Sequence, residues 1–154
     1  MSKKQSAGIL FYRLIKSAPE FLLVHPGGPF WKNKDAGAWS IPKGEFEEDE
    51  KPLAAAKREV FEELGIDANG NFIELAPVKQ KSGKIIYAWA MQKDVDVLQI
   101  KSNSFEIEWP PRSGKLQQFP EIDKAQWFSF EEASEKINEA QKNLLIELKH
   151  ILSR

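Results

Sequence analysis

The chain has 154 residues, enough for one domain spanning 1–154 that buries about two-thirds of its unfolded surface without a metal to hold it together. Its 22 Lys and Arg nearly balance 23 Asp and Glu, for a net charge of −1, so it lacks the basic excess that long nucleic acid demands. The absence of cysteine excludes a disulfide framework and a thiolate zinc site and fits the cytoplasm, and no apolar run reaches the roughly 18 residues of a membrane span, so a soluble protein is expected.

At the N-terminus, Lys3 and Lys4 precede an apolar run that Arg13 breaks, with no small-residue cleavage site after it, so a signal peptide is not expected. Residues 7–14 and 21–25 are β-rich and separated by a polar link with Pro19, predicting a hairpin. Residues 26–37 carry three glycines and two prolines and read as a long loop with a functional purpose; the short apolar run 38–41 follows, with Trp39 expected in the core. A helix of about four turns is predicted between Pro52, suited to a first helical position, and Gly65, suited to the left-handed residue past a helix end. Residues 72–80 and 84–91 predict a second hairpin, 104–109 a strand stopped by Pro110 and Pro111, 111–123 a loop, and 125–128 a last strand. Ser129 and Glu132 have capping-box spacing and open a helix expected to end near Asn138. Asn138 with Gln141 then suits the cap of a final helix whose apolar face holds Leu144, Leu145, Leu148, Ile151 and Leu152. Strands around one central helix, with helices at the C-terminus, give a mixed α/β fold.

The 52–65 helix carries the chemistry. Leu53, Ala56, Val60 and Leu64 recur at spacings of three and four and predict the core face. Glu59, Glu62 and Glu63 stand at i, i+3 and i+4 and share a second, anionic face. Like charges so placed weaken a helix by a few tenths of a kcal/mol per pair, which a bound cation offsets. Hard carboxylate oxygens, with only His25 and His150 as imidazoles, favour Mg2+ or Mn2+ over zinc. The planar fork of Arg58 suits it to orient a neighbouring carboxylate, Glu50 fits a supporting hydrogen bond to that arginine or to the loop, and Gly44 lets the backbone approach an ion. Lys43 is placed to neutralise a phosphate oxygen. His25, on an apolar strand, reads as a strand-end residue rather than a ligand.

Gly44, five free positions, Glu50, seven free positions and then Arg58-Glu59-Val60-Phe61-Glu62-Glu63-Leu64-Gly65-Ile66 fill every position of the Nudix box, and the chain resembles the Nudix hydrolase family over 44–66, more loosely outside. The resemblance implies an α/β/α sandwich around a mixed sheet and metal-dependent hydrolysis of a diphosphate linkage in a nucleoside diphosphate derivative. It assigns metal contacts to Glu59, Glu62, Glu63 and the carbonyl of Gly44, an orienting role to Arg58, and the base that deprotonates water to Glu59 or Glu62. Many members add a carboxylate from the loop before a late tryptophan. Glu121, six residues before Trp127, is the first candidate here, with Asp123, Glu106 and Glu108 behind it.

Among Phe30, Trp31, Tyr87, Trp89 and Trp109, the tryptophans at 31 and 109 lie nearest Pro- and Gly-rich loops and are the candidates to stack a base. The lead-in over 39–44 resembles members that cleave dinucleoside polyphosphates or inositol pyrophosphates more than those that cleave ADP-ribose, and nucleoside triphosphates and RNA ends remain alternatives. The expected partner is therefore a small nucleotide or polyphosphate, with no membrane and no long nucleic acid. A catalytically silent domain that senses a nucleotide is the competing reading; such a domain is expected to lose a box glutamate, and none is lost here.

Overall fold

A computed structural model describes residues 5–154; Lys3 and Lys4, used in the N-terminal reading, lie outside the described residues. Strands β1 (Gln5–Ile15) and β2 (Ala18–Pro26) form the first hairpin, turning through Lys16 and Ser17 at φ 51° and 69°. Two successive positive φ values are those of the tight turn whose twist matches that of the flanking strands. Alternation along both strands divides the apolar side chains between two faces. Ala7, Ile9, Phe11, Leu22 and Val24 pack on one face with Ala55, Ala56, Val60 and Leu64 of helix α1 (Pro52–Leu64). Leu10, Tyr12, Phe21 and Leu23 pack on the other with Trp39, Ala133, Ile137, Leu144, Leu145 and Leu148. Those last five belong to helices α2 (Phe130–Lys136) and α3 (Lys142–Leu152) and the turn between them. The result is a sheet with helices on both sides, the α/β/α sandwich.

The sheet is mixed. The remaining strands are β3 (Lys43–Phe46), β4 (Ile73–Glu74), β5 (Val78–Lys79), β6 (Ile85–Gln92), β7 (Ser104–Glu108), β8 (Leu116–Pro120) and β9 (Ile122–Phe128). The main order is β4-β6-β1-β2-β9; β1 and β6 run parallel, and β5 pairs with β6 beside β4. Along its other edge β1 takes two antiparallel partners in turn: β3 against residues 5–8, then β2 against 12–15. Between them Ile9 donates to the Pro42 carbonyl (3.1 Å) and Val24 bridges Ser40, so the chain over 38–43 crosses a split in the sheet.

Several expectations are corrected. The run 72–80 is not one strand but β4 and β5, separated at Pro77, which cannot donate to a ladder. The loop expected over 111–123 contains β8, which pairs with β7 as a separate two-stranded ribbon. The turn leading into the box is itself a strand, β3, because pairing with β1 overrides the local preference of glycine. Leu53 is only partly buried and Ala55 takes its place in the core, since the buried stripe is rotated slightly around the helix. Ser129 does cap α2, accepting from Glu132 N at 3.2 Å. Asn138, however, caps a single 3-10 turn, accepting from Ala140 N at 3.0 Å, and the Gln141 side chain leaves α3 altogether. Among the described residues no helix is long and apolar enough to cross a membrane.

Candidate active site

α1 begins at Pro52 and ends at Gly65, whose φ of 74° is the left-handed stop that glycine adopts without strain. From this helix Arg58 reaches back to the preceding loop. Its Nε and Nη2 donate to the two oxygens of Glu50 at 2.8 Å each, while Nη1 donates to Glu59 (2.9 Å) and Glu62 (3.2 Å). The fork fixes the guanidinium plane and, through it, the orientation of Glu59. The arginine's hydrogen bonds hold the Glu50 carboxyl below its usual range. Burial outweighs the same arginine at Glu59 and raises that carboxyl, whereas Glu62 is half exposed.

Gly44 meets Glu59 from the facing strand. A Cβ at residue 44 would lie 1.9 Å from Glu59 Oε2 and 2.2 Å from its Cδ, so the main chain here touches the carboxylate and only glycine fits without moving it. Beside it, burial and then the neighbouring Lys84 lower the proton affinity of Lys43, with Glu45 and Glu63 acting the other way.

Glu63 meets Glu121 on the opposite wall. The two carboxyls are hydrogen-bonded, and burial, then that bond and the charge behind it, push Glu63 up to about 8. A carboxyl raised this far keeps its proton at neutral pH unless a cation replaces it. Glu121 is fixed through its backbone: its N–H donates to the Asn103 carbonyl (2.7 Å) and its carbonyl accepts from Gly27 N (2.8 Å). A register shift between His25 and Pro26 releases β2 from β9 just where Gly27 makes that bond. Of the other acids considered at sequence level, Asp123 turns away to His25 Nδ1 (2.8 Å), Glu108 accepts from Arg112 N (2.7 Å), and Glu106 lies exposed on β7. His25 itself is buried, with its other ring nitrogen 2.6 Å from the Lys34 carbonyl and its ring against Trp39.

A cleft of about 330 Å³ opens at the split in the sheet, lined by Glu63, Glu121, Lys43 and Trp31 among others. Trp31 is 40% exposed, with Lys34 Nζ 5.1 Å from its ring centre. Trp109 does not line the cleft; it packs edge-on against Phe30, 5.4 Å between ring centres. Ser40, Gln80, Asn138 and Gln141 line it too, and sequence reasoning did not find them as site residues. Gln141 is 1% exposed and its Oε1 accepts from Ile41 N at 3.0 Å, stitching the turn before α3 to the floor of the cleft across 100 positions. No local pattern signals such a contact.

Among the described residues no three His, Asp or Glu side chains are already gathered as a metal site. The donors nevertheless fit a hard divalent cation. Glu63 holds a proton beside Glu121 where a cation would serve, Glu59 is partly buried against one arginine shared three ways, and glycine brings backbone oxygen within reach.

Comparison with known proteins agrees with this geometry. The NUDIX domain family model matches residues 4–148. Nudix hydrolase 10 of Arabidopsis thaliana is 32% identical over 118 residues, and Nudix hydrolase 5 of the same plant 31% over 114, covering 77% and 73% of this chain. The chain spans only 38% and 33% of those relatives. Among solved structures, a C. elegans Ap4A hydrolase binary complex superposes with a TM-score of 0.69 at 21% identity, covering 97% of this chain and 98% of that one. The NUDIX domain of Shewanella oneidensis NrtR complexed with ADP ribose gives 0.64 at 13% identity, covering 100% and 90%. These two likenesses are of fold. With the family model matched across nearly its whole length and two curated Nudix hydrolases above 30% identity, the chain belongs to the Nudix hydrolase family.

Proposed function

We propose that this domain hydrolyses a diphosphate linkage in a nucleoside diphosphate derivative, with a dinucleoside polyphosphate or a nucleoside triphosphate as the preferred substrate. The observation that carries the reading is the Glu63–Glu121 carboxyl pair across a cleft that also receives Lys43. Nudix enzymes generally use divalent metal ions, and Mg2+, with Mn2+ as substitute, is the proposed cofactor. The carbonyl of Gly44 and the carboxylates of Glu59, Glu62, Glu63 and Glu121 would hold it. When bound, such an ion neutralises charge on phosphate oxygens and aids their departure.

The chain's own residues do the rest. Lys43, deep in the cleft, sets a phosphate oxygen in place, and Trp31 offers a face for a base. Arg58, locked on Glu50, keeps Glu59 in one orientation. Glu59 or Glu62 takes the proton of the attacking water; the raised affinity of partly buried Glu59 brings it nearer the working pH of a general base. The C. elegans neighbour, an Ap4A hydrolase, is consistent with the polyphosphate choice.

A panel of nucleoside triphosphates, dinucleoside polyphosphates and nucleotide sugars, assayed with product identification in magnesium, tests the reading. Glu63→Gln is expected to lose at least about 100-fold in kcat/KM with its fold intact, the scale of a lost electrostatic stabiliser. Unchanged turnover in that variant would defeat it.

A further inference from the structure

A second and larger cavity, about 1030 Å³, adjoins the cleft: Gln80 and Asn138 line both. Its walls come from the β5–β6 hairpin and from the junction of α2 with α3. Each wall brings cations, Lys79 and Lys81 from the hairpin and Lys142 from the start of α3. Within it Ser134 Oγ is buried and has no hydrogen-bond partner. Glu135 and Glu139 oppose the lysines, but Glu139 is engaged with Lys142 at 3.4 Å. Lys79 and Lys81 are exposed and, among the described residues, make no side-chain hydrogen bond or ion pair.

Charge therefore changes sign along one continuous depression. Carboxyls dominate at Glu63 and Glu121, Lys43 lies in the first cleft, and beyond Gln80 and Asn138 the ammonium groups of Lys79 and Lys81 outnumber the one carboxylate, Glu135, left once Glu139 is paired with Lys142. A linear phosphate chain suits that order. The link to be cleaved lies at the carboxylate end, while phosphates further along meet lysines directly, as compact point charges that bind phosphate without fixed geometry. We infer that the second cavity is a subsite for phosphates beyond the cleaved link, which makes the site prefer chains of three or more phosphorus atoms over a simple diphosphate.

The inference rests on the diphosphate-hydrolysis reading for its place in a reaction, but the binding it claims can be measured without turnover. The probes are methylenediphosphonate and its three-phosphorus homologue, whose P–C–P links water does not cleave, titrated calorimetrically in magnesium into the wild-type protein and K79E/K81E. The wild type is expected to bind the longer probe at least about 10-fold tighter. The charge-reversed variant should lose that preference to within about twofold while holding the shorter probe unchanged, since exposed ion pairs contribute a few-fold each and reversal doubles the effect. Equal affinity for both probes in the wild type, or an equal loss for both in the variant, would overturn the subsite. If the preference stands but no nucleotide is hydrolysed, the hydrolase reading fails and the subsite survives; if nucleotides are hydrolysed with no length preference, the reverse holds.

Discussion

Replacing Gly44 by alanine adds a single methyl group, yet the structure places it 1.9 Å from Glu59 Oε2, 2.2 Å from Cδ and 2.8 Å from Cγ. Ordinary contact begins near 3.4 Å, so the carboxylate must retreat by about 1.5 Å. It cannot do so freely, because Arg58 holds its other oxygen at 2.9 Å and is itself held twice at 2.8 Å by Glu50. The backbone at residue 44 is outside the left-handed region, so alanine brings no main-chain strain. The cost to folding is then an off-rotamer glutamate, about 1 kcal/mol. The cost to catalysis is larger, since a misplacement of about 1 Å at a reacting site reduces rate roughly 100-fold. The expected result is Gly44→Ala folded, with its Tm lowered by only a few degrees and kcat/KM down about 100-fold on the best nucleotide of the panel. In a Glu59→Asp background, where the carboxylate is one methylene shorter, Gly44→Ala should cost much less, a non-additivity of neighbours that touch. Wild-type turnover in a folded Gly44→Ala protein, or additive losses in the double variant, would refute the reasoning.

The Glu63 proton makes stability depend on pH. Its carboxyl is raised from 4.5 to about 8 in the folded state, so between those values the native chain holds a proton that the unfolded chain has released. Stability without metal is therefore full below about pH 4.5 and falls as pH rises toward 8. The upper limit of about 1.4 kcal/mol per pH unit is reduced by solvent screening, leaving a loss on the order of 2 kcal/mol in denaturant titrations, and Glu63→Gln should flatten the curve. A wild-type curve that rises over this range would contradict the pairing. Gln141→Ala strands the Ile41 N–H and should cost about 1–3 kcal/mol, read as a lowered Tm, whereas no change would show that water replaces the amide. Trp31→Ala should raise KM for a nucleotide several-fold with kcat little altered, and an equal fall in kcat and kcat/KM would mean that the ring positions the reacting groups instead.

Much of the site could be read from one segment because its signals are local. Pro52 and Gly65 bound the helix through their own backbone preferences, and the Glu spacing sets one face whatever the rest of the chain does. The polar half of the cleft could not be read this way. Gln141 reaches Ile41 and Ser40 only after α3 has packed on the sheet, and Asn138 carries a cap signal that conceals its place at the cleft. Strand β8 was hidden for another reason: its side chains are nearly all exposed, so no buried alternation marks it, and Pro110, Pro111 and Gly114 advertise a loop. Glu121 was singled out by family resemblance, not by any pattern around it, and its position opposite Glu63 emerges only when β2 and β9 pair.

On the proposed reading Glu63, facing Glu121 and near Glu59, exchanges its proton for a divalent cation that would make the cleft hydrolytic. Magnesium or manganese titrated calorimetrically at pH 7, in buffers of different ionisation enthalpy, tests it most directly. The wild type is expected to bind with release of close to one proton per chain, and Glu63→Gln to lose both the tight binding and the proton release together with turnover. Binding that is identical and proton-free in both proteins, with nucleotide hydrolysis unaffected, would contradict it.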